Sequence, residues 1–219
     1  MIANELVSNE IVPLRTSDSG TDAMEVMHDF YVQHLPIVND RELLGLLGEN
    51  DVLDHDVNEA VGSYKLSLPH ARVRHSDHLY EVMRLVAEYD LTAVPVVDGE
   101  GNYEGLITAG DLLNYYARTA TFTESGSIVI LEVQRRDYSL AEIARIAESE
   151  NAIILSSFVE SIGDGSLLQV TIKVNLQHVA GMLATFERFG YEVRGTFNEG
   201  TAVDTLRERY DALISYLNV

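Results

Sequence analysis

The stretch Gly105-Leu106-Ile107-Thr108-Ala109-Gly110-Asp111 places the end of an apolar run, a glycine-containing turn and the start of a helix pattern within seven residues. The amides that open a helix present unpaired donors, with the positive end of the helix dipole behind them. The Thr108 hydroxyl can donate to a phosphate oxygen, and the Asp111 carboxylate can accept from both hydroxyls of a ribose. A simpler interpretation is that Thr108 or Asp111 only caps the helix that follows.

The same pattern occurs earlier in the chain, as Gly45-Leu46-Leu47-Gly48-Glu49-Asn50-Asp51. Gly105 stands 60 positions after Gly45, whereas Pro95 stands 59 positions after Pro36. The one extra residue falls in a polar segment between two apolar runs, where a turn tolerates an insertion. The chain therefore contains an internal repeat, and this repeat determines how the first half is interpreted.

Each repeat is predicted to contain a short leading strand, a helix, a two-stranded hairpin and a second helix, from the spacing of its apolar residues. In the first repeat the predicted elements are a helix over Asp22–Tyr31, with Ala23, Met24, Met27 and Phe30 facing the core, and strands over Leu35–Val38 and Leu43–Leu47. In the second they are a helix over Glu81–Tyr89, with Val82, Met83, Val86 and Ala87 facing the core, strands over Ala93–Val97 and Tyr103–Ile107, and a helix over Asp111–Arg118.

Two units of this β-α-β-β-α plan, each with a proline-centred apolar strand and the pattern Gly-apolar-apolar-x-x-x-Asp, resemble a tandem pair of cystathionine-β-synthase (CBS) domains. The resemblance covers residues 1–60 and 61–120. In that family the two units face each other and form two clefts, which commonly hold adenosine-containing ligands such as AMP, ADP, ATP or S-adenosylmethionine. The resemblance thus implies an adenine nucleotide as a ligand, with or without Mg²⁺ beside it, and not as a catalytic cofactor.

The resemblance also implies the site residues, since the family is expected to take the aspartate of each cleft from one unit and the residues around the base from the other. The intact cleft is then assigned to Thr108, Gly110, Asp111, Val12, Val32, Gln33 and His34. For His34, an ordinary exposed histidine is an equally good interpretation. A weaker second cleft is expected because Gly48 replaces the hydroxyl residue and Glu49 adds a carboxylate; its residues are Asp51, Arg72, Val73, Leu91, Thr92 and Ala93.

The composition narrows the function further. A net charge of −20 over 219 residues argues against nucleic acid or an anionic membrane as a partner. The absence of cysteine excludes disulfides, Cys-ligated metal and cysteine nucleophiles. No leader segment or membrane-length apolar run is apparent in the sequence, so a cytoplasmic location is expected.

Catalysis is not expected from this sequence. The seven histidines are scattered without motif spacing, and neither a metal-ligand array nor a phosphate-binding Walker loop is present. The predicted function is therefore that of a non-catalytic regulatory protein that senses an adenosine-containing ligand on behalf of an unidentified regulated protein.

After a polar linker at residues 121–126, residues 127–219 are predicted to form a second domain. Its apolar runs follow the order β-α-β-β-α-β: Ser127–Val133, a helix with Leu140, Ile143, Ala144 and Ala147 inward, Ala152–Ser161, Ser166–Val174, Leu176–Phe189 and Tyr191–Phe197. Ser139 is the expected N-cap of the first helix, and Glu142 would complete a capping box. The predicted fold class is thus α+β, or α/β: a tandem CBS pair followed by a ferredoxin-like domain and a C-terminal helix.

The βαββαβ order resembles the ACT domain, and the loop Asp137–Ile143 corresponds to the place where ACT domains often hold amino acids. Ser139 stands where that family usually has a glycine. Two interpretations remain open: a structural or dimerising domain, or an amino-acid sensor with the CBS pair as a structural element. A CBS pair followed by an ACT-like domain is the arrangement of acetoin-utilisation AcuB-type proteins.

The last apolar pattern predicts an amphipathic helix over Thr201–Leu217. Its apolar face would cover either the sheet of its own domain or a second subunit. Because CBS pairs and ACT domains both tend to associate, a homodimer is expected.

Overall fold

The computed structural model describes residues 1–198, which fall into two compact units. The first unit is Met1–Tyr116, and the second begins at Ala117. The helix predicted over Thr201–Leu217 lies outside the described residues.

The first repeat contains α1 (Gly20–Phe30), β1 (His34–Asn39), β2 (Glu42–Gly48) and the short helix α2 (Glu49–Leu53). Ser19 caps α1, because its hydroxyl oxygen accepts a hydrogen bond from the backbone N–H of Asp22 at 3.1 Å. β1 and β2 pair as an antiparallel hairpin, with His34 opposite Gly48.

The second repeat contains β3 (Val73–Arg74), α3 (Leu79–Tyr89), β4 (Ala93–Val97), β5 (Tyr103–Thr108) and α4 (Ala109–Ala117). β3 runs parallel to β4, and β4 pairs antiparallel with β5, with Ala93 opposite Thr108. In the first repeat the counterpart of β3 is reduced to a single bridge between Leu14 and Ile37. The two repeats therefore share one plan, with a shorter sheet in the first.

The segments that lead into the two repeats are exchanged between them. Ser8, in the leading segment of the first repeat, exchanges two backbone hydrogen bonds of 2.9 Å with Leu106 on β5 of the second repeat. Leu68, in the leading segment of the second repeat, accepts a hydrogen bond from Leu46 on β2 of the first. Each hairpin is thus completed by chain that belongs to the other repeat, and these segments reach the strand ends where the two turns lie.

The predicted helix faces are partly correct. Ala23 and Met27 of α1 and Val82 of α3 are buried, but Phe30, Met83 and Ala87 are exposed. The buried stripe is narrower than the apolar pattern, because each helix packs against the core along one side only. In α3, Leu85 supplies the buried position that Met83 and Ala87 do not.

The second unit forms a four-stranded antiparallel sheet in the order β7-β8-β6-β9, with a helix after its first strand and another after its third. The sheet side that meets the helices carries Val129, Leu131, Val170 and Ile172, all fully buried. This order and the βαββαβ connectivity are those of a ferredoxin-like fold. Its elements are α5 (Ala120–Thr123), β6 (Ser127–Gln134), α6 (Leu140–Ser149), β7 (Ile154–Ile162), β8 (Leu167–Val174), α7 (Ala180–Arg188) and β9 (Glu192–Asn198).

Several local expectations for this unit differ from the structure. The short helix α5 occupies part of the predicted linker, and α7 begins at Ala180 rather than at Leu176. Ser139 caps α6 by accepting from the N–H of Glu142 at 3.2 Å, but the Glu142 carboxylate accepts from the Tyr191 hydroxyl instead of closing a capping box. Leu140 and Ala144 are exposed, and Ile146 takes a buried position on α6 in their place.

Candidate ligand clefts of the repeat pair

The turn between β5 and α4 holds Asp111 through Thr108. Oδ2 of Asp111 accepts from the backbone N–H of Thr108 at 2.8 Å and from the Thr108 hydroxyl at 2.7 Å. The hydroxyl oxygen in turn accepts from the N–H of Asp111 at 3.0 Å. The Thr108 proton is therefore directed to Asp111, so Thr108 caps α4 and positions the carboxylate. The second oxygen, Oδ1, forms no hydrogen bond within residues 1–198 and remains an acceptor.

Asp51 occupies the equivalent place at the turn between β2 and α2, but its carboxylate is enclosed. It is 6% exposed, and its Oδ2 accepts from the N–H of Gly48 at 3.1 Å and from the hydroxyl of Ser67 at 3.1 Å. The N–H of Ser67 donates to Oδ1 at 3.2 Å. Both oxygens are thus engaged by the protein, and Asp51 ties the segment before the second repeat to the first turn.

The backbone amides of the two turns are also largely occupied. The N–H of Glu49 donates to the carbonyl of Gln33, and the N–H of Ala109 donates to the carbonyl of Thr92, both at 2.9 Å. Together with the amides that bind the two aspartates, these contacts leave fewer open donors than the sequence pattern suggested. A phosphate at either turn would depend on side chains more than on a backbone cradle.

A cavity of about 160 Å³ lies beside the second turn, and we call it the Thr108 cleft. Its floor and walls combine apolar side chains, two hydroxyls and two carboxylates. The lining residues are Ser8, Glu10, Ile11, Phe30, Leu106, Thr108 and Asp111.

The corresponding cavity beside the first turn has a volume of about 290 Å³, and we call it the Gly48 cleft. It is more polar, and it takes residues from the first turn, from the start of β1, from the leading segment of the second repeat and from the end of α3. The lining residues are Gln33, His34, Gly48, Glu49, Asn50, Ser67, Leu68, Tyr89 and Asp90.

The last residue of α1 and the last residue of α3 line these clefts, and sequence reasoning missed both. Phe30 ends α1 and lines the Thr108 cleft, and Tyr89 ends α3 and lines the Gly48 cleft. Each is followed by a residue in the left-handed conformation, Tyr31 with φ 54° and Asp90 with φ 52°. The signal was present in the sequence, because aromatic residues recur at the 59-residue spacing of the repeat.

The predicted exchange of site residues between the repeats differs from the observed arrangement. Gln33 and His34, expected with Thr108, line the Gly48 cleft instead. The reason is the hairpin register, which places His34 opposite Gly48 and Ala93 opposite Thr108. The residue before each proline-centred strand therefore lies beside the turn of its own repeat.

The other predicted residues lie in the core or in separate cavities. Val32, Leu91 and Ala93 are buried core residues. Val12 is 72% exposed and lines a cavity of about 540 Å³ with the hairpin turn of the first repeat. Arg72 and Val73, expected near Asp51, line a cavity of about 380 Å³ at the hairpin turn of the second repeat. Gly110 is exposed on the first turn of α4.

Thr92 links the two repeats between the clefts. Its hydroxyl oxygen accepts from the N–H of Gln33 at 2.7 Å, and its own N–H donates to Nδ1 of His34 at 3.2 Å. Its carbonyl accepts a hydrogen bond from the N–H of Ala109, at the start of α4. One residue thus contacts the strand that borders the Gly48 cleft and the turn that borders the Thr108 cleft.

His34 is a neutral donor in this arrangement. Because Nδ1 accepts from Thr92, the neutral ring carries its proton on Nε2, on the side of Gly48. Burial lowers the pKa of His34 below its ordinary value, against the opposing influence of Asp90, Asp51 and Glu49. The side chain therefore adds no positive charge to the cleft at neutral pH.

Within residues 1–198, no group of three or more histidine or acidic side chains is arranged to hold a metal ion. No helix in the same range combines the length and the apolar character that crossing a bilayer requires.

The comparisons with known proteins agree with the repeat. The CBS domain model matches residues 3–58 and 67–118. The first unit is therefore a tandem pair of CBS domains, and through it the chain belongs to the CBS-domain family.

Individual relatives share this part of the chain. Over 91 residues it is 32% identical to the magnesium transporter MgtE of Thermus thermophilus, a match that covers 41% of this chain and 20% of the transporter. A solved CBS domain pair/ACT domain protein from Thermotoga maritima is similar with 22% identity and a TM-score of 0.48, over 53% of this chain and 96% of that one. CBSX2 in complex with AMP is similar with 24% identity and a TM-score of 0.47, over 53% and 96%. The chain spans less than half the length of the curated relatives it matches.

Proposed function

We propose that the protein is a non-catalytic regulatory module that binds an adenosine-containing ligand in the Thr108 cleft. The observation that carries the proposal is the free Oδ1 of Asp111, a charged acceptor held in place by Thr108 at the edge of a cavity. A carboxylate in this position suits the two adjacent hydroxyls of a ribose. The membership of the CBS-domain family supplies the ligand class.

The remaining lining of the cleft suits a purine base. Phe30 and Ile11 offer apolar surface, and the hydroxyl of Ser8 lies beside them. An aromatic ring beside a base adds stacking, which is insensitive to the identity of the base. The cavity of about 160 Å³ is smaller than the range of roughly 300–1,000 Å³ found for ligand pockets, so its lining must rearrange when a nucleotide binds.

The test is a calorimetric titration of AMP into wild type and two matched variants. Asp111→Ala removes the ribose acceptor and should weaken AMP binding by roughly ten- to a hundred-fold, since a hydrogen bond to a charged group contributes about 1.5–3 kcal/mol. Asp51→Asn is the control, because that residue faces the protein and should leave AMP affinity within a factor of about three. Unchanged affinity in Asp111→Ala would remove the proposal.

For the alternative function, amino-acid sensing by the second unit, two polar groups at the start of α6 are already engaged by the protein. At the loop Asp137–Ile143 the Ser139 hydroxyl oxygen caps α6, and the Glu142 carboxylate is engaged by Tyr191. A thermal-shift screen that included amino acids as well as nucleotides would favour this alternative if only amino acids stabilised the protein.

Two further elements belong to the proposal. The regulatory output would pass to a partner protein, and the chain would act as a homodimer. Light scattering at micromolar concentration should give the mass of two chains, and the mass of one chain would count against the dimer.

A further inference from the structure

The two clefts differ in charge at positions that the repeat makes equivalent. The Gly48 cleft carries Glu49 on its turn and Asp90 at the end of α3. At the equivalent positions the Thr108 side has Ala109 and Tyr31, which are uncharged. The Thr108 cleft keeps one carboxylate besides Asp111, that of Glu10.

The local structure holds the Glu49 carboxylate and fixes the backbone of Asp90. Oε2 of Glu49 accepts from the side-chain amide of Gln33 at 3.1 Å, and the Glu49 side chain is partly buried. Asp90 is the left-handed residue that ends α3, and its backbone N–H donates to the carbonyl of Val86. Both acidic groups therefore face the cavity from fixed backbone positions on opposite repeats.

No positive charge offsets them within the cleft. The residues that line it, all in the described part of the chain, include no lysine or arginine. His34 is neutral because its Nδ1 accepts a hydrogen bond from Thr92. Glu49 is partly buried and therefore acts on a bound charge more strongly than Asp90, which is exposed to solvent.

A phosphate would also lack donors at this turn. Gly48 has no hydroxyl, its N–H is bound to Asp51, and the N–H of Glu49 is bound to Gln33. A purine, in contrast, finds the Tyr89 ring, the Leu68 side chain and the Nε2–H of His34. The cleft thus suits the base of a nucleoside and opposes a negatively charged 5′ end.

We infer that the Gly48 cleft admits a nucleoside with a positively charged 5′ end and excludes its phosphorylated counterpart. This inference rests on the proposed function, because it takes an adenosine-like body as the common part of the ligand. The pair would then report on two kinds of adenosine derivative, an anionic one at Asp111 and a cationic one at Glu49 and Asp90.

The test uses three probes that differ only at the 5′ position: AMP, adenosine and 5′-amino-5′-deoxyadenosine, whose amine is protonated at neutral pH. They are titrated calorimetrically into the whole chain carrying Asp111→Ala, which disables the Thr108 cleft. The expected order of affinity is amine, then adenosine, then AMP, with at least a tenfold separation between the amine and AMP.

A charge-neutral variant then assigns the preference to the cleft. Adding Glu49→Gln and Asp90→Asn should weaken the affinity for the amine at least tenfold and change the affinity for adenosine less than threefold. Glu10→Gln, in the other cleft, should change neither affinity. Raising the salt concentration should reduce the preference for the amine, and circular dichroism checks that each variant is folded.

The inference is overturned if the amine does not bind, if neutralisation leaves its affinity unchanged, or if AMP binds the Asp111→Ala protein as tightly as the amine does. Its failure is separable from that of the proposed function. AMP binding to wild type that depends on Asp111, without binding of the amine, would remove only the inference. Failure of all three probes to bind wild type would remove both.

Discussion

Asp51 and Asp111 stand at the same position of two copies of one motif, and the structure gives them different roles. Asp51 is buried and accepts hydrogen bonds from three donors, the N–H of Gly48 and the N–H and hydroxyl of Ser67, whereas Asp111 keeps one oxygen free beside a cavity. The difference comes from the segment that leads into the other repeat. Ser67 donates to Asp51. Leu68 and Ser8 form equivalent bridges to the two hairpins, so the counterpart of Ser67 is the residue before Ser8. That residue is Val7, which has no polar side chain. A motif therefore fixes the backbone of a turn, and the segment packed against the turn decides whether its carboxylate is structural or available.

The largest expected effect is on stability. Asp51→Ala leaves the buried N–H of Gly48 and the two partly buried donors of Ser67 without their acceptor, which should lower the free energy of unfolding by about 2–4 kcal/mol. Asp111→Ala should lower it by about 1 kcal/mol, because its carboxylate is partly exposed. Urea denaturation followed by far-UV circular dichroism measures both, and equal losses would contradict the division of roles.

The next effect concerns the aromatic residues at the helix ends. Phe30→Ala should weaken AMP binding by about tenfold or more, since stacking of a base on an aromatic ring is worth about 1–3 kcal/mol. Tyr89→Ala should leave AMP affinity unchanged, because Tyr89 lines the Gly48 cleft. If both substitutions weakened AMP equally in calorimetry, the two clefts would share the ligand and the comparison would fail.

The repeat, the hairpins and the ferredoxin-like order could be predicted from the sequence. They follow from the spacing of apolar residues and from glycines such as Gly45 and Gly105, which recur at the spacing of the repeat. Helix faces were less predictable. Phe30 and Met83 fit an apolar stripe, yet the core reaches only part of that stripe, and Phe30 lines a cleft instead. Periodicity shows which residues share a face, but not how wide the contact with the neighbouring element is.

The membership of each cleft could not be predicted, since it depends on strand register and on contacts between segments far apart in the chain. His34 lies with Gly48 because the hairpin pairs them. The link between Gln33 and Thr92 spans 59 positions and has no local pattern. Thr108 was predicted to donate to a phosphate oxygen, but its hydroxyl proton is directed to Asp111.

The link through Thr92 should be measurable by itself. Thr92→Val keeps the shape of the side chain but leaves the N–H of Gln33 without its acceptor, so the free energy of unfolding should fall by about 1–2 kcal/mol. Gln33→Ala is the control, because it keeps that N–H and removes only the side-chain contact with Glu49. A loss in the control as large as that in Thr92→Val would show that Thr92 does not join the repeats as described.

The smallest expected effect is a pH dependence confined to the first repeat, because the position equivalent to His34 in the second repeat is Ala93, which does not titrate. Burial lowers the pKa of His34 in the folded protein. The unfolded chain therefore takes up the proton at higher pH than the folded one, so stability is complete above about pH 6.5 and falls as the pH decreases below that value. The contribution of one proton is at most about 1.4 kcal/mol per pH unit.

His34→Asn retains an acceptor for the N–H of Thr92 without titrating, and urea denaturation from pH 7.5 to 5.5 should show a smaller decline in the free energy of unfolding for this variant than for wild type. The acidic groups that face His34, namely Asp90, Asp51 and Glu49, are present in both proteins, so the two proteins differ only at His34. Parallel declines would mean that the protonated ring is tolerated between the repeats, and the hydrogen bond from Thr92 would then not hold His34 in its neutral form.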